Sequence, residues 1–121
     1  MTVTFDSYAW IEYFSGSKKG EKVKEIIDGS GAILTPSVCL LEIKAKYLRE
    51  GKEHAGRIEF ICFRSKIVEL NKEIALRAAD EKNDKKLHAA DAIVYATAMQ
   101  NNSILLTGDQ HLKNLEGVDF L

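Results

Sequence analysis

Four carboxylates in this chain sit inside or at the ends of apolar runs, where a charge is costly unless something pairs with it. Val3–Thr4–Phe5 leads straight into Asp6, and Ile104–Leu105–Leu106 continues through Thr107 and Gly108 to Asp109. Asp91 interrupts the stretch from Leu87 to Ala96, and Glu42 follows Val38–Cys39–Leu40–Leu41. A metal ion is a common partner for clustered acids, and carboxylate oxygens are the natural ligands of Mg²⁺ and Mn²⁺. Such ions activate a water molecule and neutralise the charge that builds on a phosphodiester during hydrolysis. Metal-assisted phosphodiester chemistry is the first expectation.

Each acid also has an ordinary explanation. Asp6, where a strand hands over to a helix, reads as an N-cap or as a central metal ligand supported by the Ser7 hydroxyl. Glu42 precedes Lys46 by four residues, the spacing of a solvated surface pair. It also shares a helix face with Lys46 and Arg49, which sets an acid for metal beside two bases for phosphate. Asp91 is a poor helix former among alanines and aliphatics; its alternatives are a helix-start position or a buried pair with Lys85 or Lys86. Asp109 reads as the cap of a short helix, while Gly108 permits close backbone approach and Thr107 offers a hydroxyl toward Asp6 or a water. Jointly, two acids fall at strand ends and two on helices that follow strands.

The elements that must position them follow from short apolar runs alternating with helical periodicity. Thr2–Asp6 predicts a strand, then a helix from about Ser7 to Phe14 and a charged helix over Lys18–Asp28, stopped by Gly29-Ser30-Gly31. Ala32–Thr35 predicts a second strand. Thr35-Pro36 then offers an N-cap and a first-turn proline for a long helix to about Glu50. A helix over Glu53–Arg64 and a strand at Ile67–Glu69 follow. Asn71 caps a helix to about Asn83, and Leu87–Asn101 is the most apolar helix. A strand at Ser103–Leu106, a short helix over Asp109–Asn114 and a weak strand at Val118–Phe120 close the chain. Strands separated by helices imply an α/β fold: a three-layer α/β/α sandwich around a central parallel sheet of about five strands. Such sheets build their sites beyond the carboxyl ends of the strands, at a topological switch point.

The 121 residues suit one domain, residues 1–121, with no linker, repeat or low-complexity stretch. A formal net charge of -1, with 45% hydrophobic and 29% charged residues, describes an ordinary globular protein and excludes a strongly basic nucleic-acid binder. Two divalent cations would shift that balance by +4, from -1 to +3, so metal must be counted before affinity for phosphate is judged. Cys39 and Cys62 lie in apolar stretches and read as small buried thiols in a reducing cytoplasm. The opening residues suggest no export segment, the longest apolar stretch is too short to span a bilayer, and a cytoplasmic location is expected.

Other residues carry weaker signals. His88 lies one turn before Asp91, but three scattered histidines make no zinc signature, so it reads as a surface or supporting group. Tyr8, Trp10 and Tyr13 read as core and rim aromatics. Lys44, Lys46, Arg49 and Lys52 read as a solvated face with some prospect of phosphate contact, and the mixed run Glu81–Lys86 as solvated. Ile58, Phe60, Ile61 and Phe63 exceed what one helix face buries, which leaves a core role and a contact surface both open.

The segments VTFDSYAWIEYF, TPSVCLLEIKAKY, LHAADAIVYATA and ILLTGDQHL, in that order and across nearly the whole chain, resemble a PIN domain of the VapC toxin-ribonuclease type. The resemblance implies a parallel α/β/α sandwich and a two-metal site for cutting RNA with Mg²⁺ or Mn²⁺. It places the family's acidic roles on Asp6, Glu42, Asp91 and Asp109, with Thr107 as the hydroxyl residue beside the last. Some members carry a further acid near that motif; here the stretch reads Gln110-His111-Leu112, and no ligand is assigned to it. A homodimer and a small VapB-like antitoxin are also implied. A PIN scaffold that binds RNA or protein without cutting is the alternative. An acid-based phosphatase or receiver is disfavoured, because Tyr8 stands where the phosphatase needs a second aspartate.

Overall fold

Short aliphatic and β-branched runs, largely buried on both faces, build an all-parallel sheet in the computed structural model, which describes residues 1–121. The strands are β1 (Thr2–Phe5), β2 (Ala32–Pro36), β3 (Lys66–Val68), β4 (Ile104–Thr107) and β5 (Val118–Phe120), in the order β3-β2-β1-β4-β5. Val3 pairs with Ile33 on one side and Ile104 on the other, so β1 is central. From β1 the chain steps outward through β2 to β3, then returns across the sheet to β4 and on to β5. The order therefore reverses between β1 and β4, and their carboxyl ends open a crevice there.

Six helices flank the sheet: α1 (Ser7–Ser15), α2 (Lys18–Asp28), α3 (Ser37–Glu50), α4 (Ala55–Arg64), α5 (Lys72–Lys85) and α6 (Ala89–Gln100). A single 3₁₀ turn, Gln110–Leu112, follows β4. The expected three-layer α/β/α sandwich with five parallel strands is the observed one. Ser17 caps α2 by accepting from Gly20 N–H at 3.1 Å, and Asn71 caps α5 by accepting from Ile74 N–H at 2.9 Å. Gly20 also permits α2 to lie against α1, since a Cβ there would stand 2.3 Å from the Glu12 carbonyl oxygen. Trp10 is fully buried and packs against Phe5, Tyr13, Phe14 and Phe60.

Several local expectations differ from the structure. Thr35 and Pro36 both belong to β2, and neither side chain caps α3. Thr35 instead faces the core, accepting from Trp10 Nε1 at 3.0 Å and bonding to Ser65 Oγ at 2.7 Å. Pairing with Val68 holds Pro36 in the strand, and that pairing outweighs its helix-starting preference. Helix α4 begins at Ala55, and Glu53 accepts from Gly56 N–H at 2.6 Å as a lead-in rather than a helical residue. Helix α6 begins at Ala89, because Leu87 is pulled into the core before the helix starts. Cys39 is buried as expected, but Cys62 is exposed. The Ile58–Phe63 cluster splits: Ile61 is buried, Ile58 and Phe60 pack on the core, and Phe63 is 85% exposed. No helix is long and apolar enough to cross a membrane.

Candidate active site

The reversal in strand order brings the end of β1 and the end of β4 side by side. Asp6 follows β1 and caps α1, its Oδ1 accepting from Ala9 N–H at 2.9 Å. Its Oδ2 accepts from the Thr107 hydroxyl, at the last residue of β4. Thr107 is fully buried, and the same hydroxyl oxygen accepts from Asp109 N–H at 3.0 Å. One threonine thus fixes the rotamer of Asp6 and the backbone that carries Asp109. Capping and a site role are not exclusive here, because a carboxylate has an oxygen for each.

Asp91 lies in the first turn of α6 and is half-buried. Asp91, Asp109 and His111 offer ligand atoms that all lie within 4.8 Å of one another. The His111 backbone N–H donates to Asp109 Oδ1 at 2.9 Å, and its Nδ1 lies 3.0 Å from the same oxygen. His88, which immediately precedes α6, sets its ring edge-on to His111 with centroids 5.6 Å apart. Glu42, on the second turn of α3, accepts from Ser7 Oγ at 2.5 Å. None of the lysine pairings that were the ordinary alternatives for Glu42 and Asp91 forms. Lys46 bonds Glu50 at 2.6 Å and Lys85 bonds Glu81 at 2.9 Å, leaving Glu42 and Asp91 without lysine or arginine partners.

The four acids feel one another. Burial, first of all, pushes the Asp6 carboxyl from 3.8 up to about 7. The bonds from Thr107 and Ala9 oppose that shift, and the charges of Asp109 and Glu42 add to it. Asp91 is raised by burial and then by Asp109, with a smaller push from Glu42; His111 and His88 pull the other way. Asp109 and Glu42 therefore bear on both Asp6 and Asp91, which makes the four a single electrostatic unit. Burial likewise pushes the Cys39 thiol up, so this neighbour of Ser7 is an inert packing group.

A buried carboxylate with two like charges near it and no basic side chain paired to it calls for a cation. The donor set, four carboxylates with one imidazole and two hydroxyls in support, suits a hard or borderline divalent ion. The residues present therefore fit one. The largest surface cavity, about 770 Å³, opens at the opposite end of the sheet against Met1, Gly31, Ile104 and Gly117. It gathers no comparable set of titratable groups, so size does not locate the chemistry in this fold.

The structure brings His111 to Asp91 and Asp109, a placement that sequence reasoning passed over, since Gln110-His111-Leu112 shows no acid and no ligand spacing. Its position two residues after Asp109 on a tight turn was the available signal. Arg49 is exposed and forms no ion pair with the acids.

The model of the PIN domain matches residues 3–118. The chain belongs to the PIN-domain family. Among solved structures, a toxin–antitoxin complex from Klebsiella pneumoniae superposes with a TM-score of 0.82 at 22% identity, covering 97% of this chain and 95% of that one. VapBC2 from Rickettsia felis, bound to a DNA fragment from its promoter, gives 0.80 at 11% identity over 100% and 99% of the two chains. VapC20 of Mycobacterium tuberculosis, a toxin that cleaves the sarcin-ricin loop, gives 0.68 at 13% identity over 89% and 90%. At these identities the likeness is one of PIN fold. No curated protein matches the sequence.

Proposed function

We propose that this PIN-domain chain is a divalent-metal-dependent endoribonuclease, the toxin of a VapBC-type pair. The observation that carries the reading is the convergence of Asp6, Glu42, Asp91 and Asp109 on one crevice at the β1/β4 switch point, with no lysine or arginine paired to any of them. Asp6, Asp91 and Asp109 would hold Mg²⁺ or Mn²⁺, with Glu42 as a ligand directly or through water. The ions would supply an activated water and offset charge on the phosphodiester in the transition state.

The chain's own groups do the positioning. Thr107 orients Asp6 and anchors Asp109, Ser7 fixes Glu42, and His111 braces Asp109. The toxin–antitoxin neighbours support a small VapB-like antitoxin as partner, and the family supports a homodimer acting in the cytoplasm. Purified protein incubated with total RNA, with Mg²⁺, Mn²⁺ or EDTA, tests the reading by mapping of cleaved ends. Metal-dependent ends that vanish in Asp6→Asn support it. Unchanged cleavage in Asp6→Asn or in EDTA sinks it. No RNA cleaved, together with no saturable metal binding that Asp91→Asn removes, would favour the non-cutting PIN scaffold.

A further inference from the structure

A second cleft lies beside the acids, where α5 ends and the chain turns into α6. It encloses about 530 Å³ and is lined by Ala79, Lys82, Asn83, Lys86, Leu87 and His88, with no carboxylate among them. Lys82 and Lys86 are exposed and enter no ion pair, unlike their neighbour Lys85, which Glu81 neutralises at 2.9 Å. Two unpaired cations four residues apart repel each other. A lysine in the last turn of a helix is ordinary, because it complements the helix dipole, and Lys82 alone would be explained that way. Lys86 is not: it stands beyond α5 with φ 58, a left-handed conformation that glycine or asparagine adopts at lower cost. Its N–H closes the turn onto the Lys82 carbonyl, so both ammonium groups issue from one bend.

The cleft connects to the site through His88, which lines it and whose ring meets His111 at 5.6 Å. His111 in turn contacts Asp109. We propose that this cleft is a phosphate-binding subsite for single-stranded RNA, in which Lys82, Lys86 and the Asn83 amide hold a backbone phosphate next to the acid cluster. The inference rests on the ribonuclease reading and deepens it. An acid-rich metal crevice has little attraction of its own for a polyanion beyond the phosphate it reacts with, and neighbouring phosphates need separate cations.

The test uses the full chain in Ca²⁺ and a fluorescein-labelled randomised 12-nucleotide RNA, with anisotropy read across a KCl series. The double variant Lys82→Ala/Lys86→Gly keeps the turn, because glycine accepts the left-handed bend. Lys66→Ala/Lys72→Ala, which removes the same charge from exposed positions outside the cleft, is the control. The expected result is roughly tenfold weaker binding for the cleft variant alone. Its plot of log affinity against log salt should also be shallower by about 1.4, the value for two lost contacts on a single strand. Mn²⁺ affinity, titrated without RNA, should match wild type. Unchanged RNA affinity, or an equal loss in the control, overturns the subsite. So does selective loss of binding to an acidic oligoglutamate peptide with RNA binding intact, which would mark a protein-docking cleft. Wild-type protein that cuts RNA while the cleft variant binds normally removes only the subsite. Wild-type protein that neither binds nor cuts RNA removes the ribonuclease reading and the subsite together.

Discussion

Asp6 carries two loads at once, capping α1 with one oxygen and facing the other acids with its second. In the metal-free chain its carboxyl keeps its proton up to about pH 7, whereas the unfolded chain releases it near 3.8. The folded state therefore binds more protons than the unfolded state between those values, and stability must fall as pH rises through that window. Urea unfolding in EDTA should show roughly a few kcal/mol lost between pH 4 and pH 8, a loss that Asp6→Asn largely removes. Asparagine retains the cap, so that variant should be the more stable one at pH 8 without metal while cleaving RNA at least about 100-fold more slowly. A variant less stable than wild type at pH 8 in EDTA would contradict the account of Asp6. Thr107→Val removes the donor to Asp6 and the acceptor for Asp109 N–H together. Calorimetric titration of Mn²⁺ should show affinity lower by about 10–100-fold, as for other supporting groups around metal ligands.

Among the elements, close backbone approach decides how the site is framed. A Cβ on Gly20 would meet the Glu12 carbonyl at 2.3 Å, and both atoms belong to helices that cannot easily part. Gly20→Ala should lower the unfolding free energy by about 1–3 kcal/mol, read from the urea midpoint at constant m-value. Gly108 sits against the Tyr8 ring, where a Cβ would fall 2.1 Å from Cε1. That glycine leaves room for the Tyr8 ring against the β4 exit, next to Thr107 and Asp109. Thr35 plays a comparable part beneath the site, as the only acceptor given to the buried Trp10 Nε1. Thr35→Val should cost about 1–3 kcal/mol of stability, because that N–H is left unsatisfied in the core. Tryptophan fluorescence during unfolding measures it directly.

For the whole molecule, four acids drawn into one crevice are a standing destabilisation that a bound cation would relieve. Saturating Mg²⁺ or Mn²⁺ should raise the melting temperature at pH 8, by the equivalent of about 2.7 kcal/mol at a hundredfold excess over Kd. The gain should shrink at pH 5, where the wild-type carboxyl of Asp6 is protonated and competes with the ion. Asp91→Asn should lose most of it at either pH. A melting temperature indifferent to divalent ions would argue that this PIN domain is a scaffold.

Much of this was legible in the chain. The alternation of short apolar runs with helical periods determines a parallel α/β sheet, because parallel strands need crossovers and bury both faces. The placement of Asp6 and Asp109 after such runs pointed to the strand ends. Local chemistry was misread where tertiary pairing overrode it, as when the bond between β2 and β3 kept Thr35 and Pro36 in the sheet and left α3 without a side-chain cap. Four matters were decided only by the fold. Strand order made β1 and β4 neighbours and so joined Asp6 to Thr107 across 101 residues. The partner of Glu42 proved to be Ser7 rather than Lys46, because α1 brings the Ser7 hydroxyl to 2.5 Å from it while Lys46 pairs with Glu50. His111 joined the acids through a 3₁₀ turn that no period announces, and Lys82 and Lys86 shared a cleft through a left-handed bend. Sequence pattern specifies which face of an element is buried; which side chains meet across elements depends on distances that only the packed chain sets.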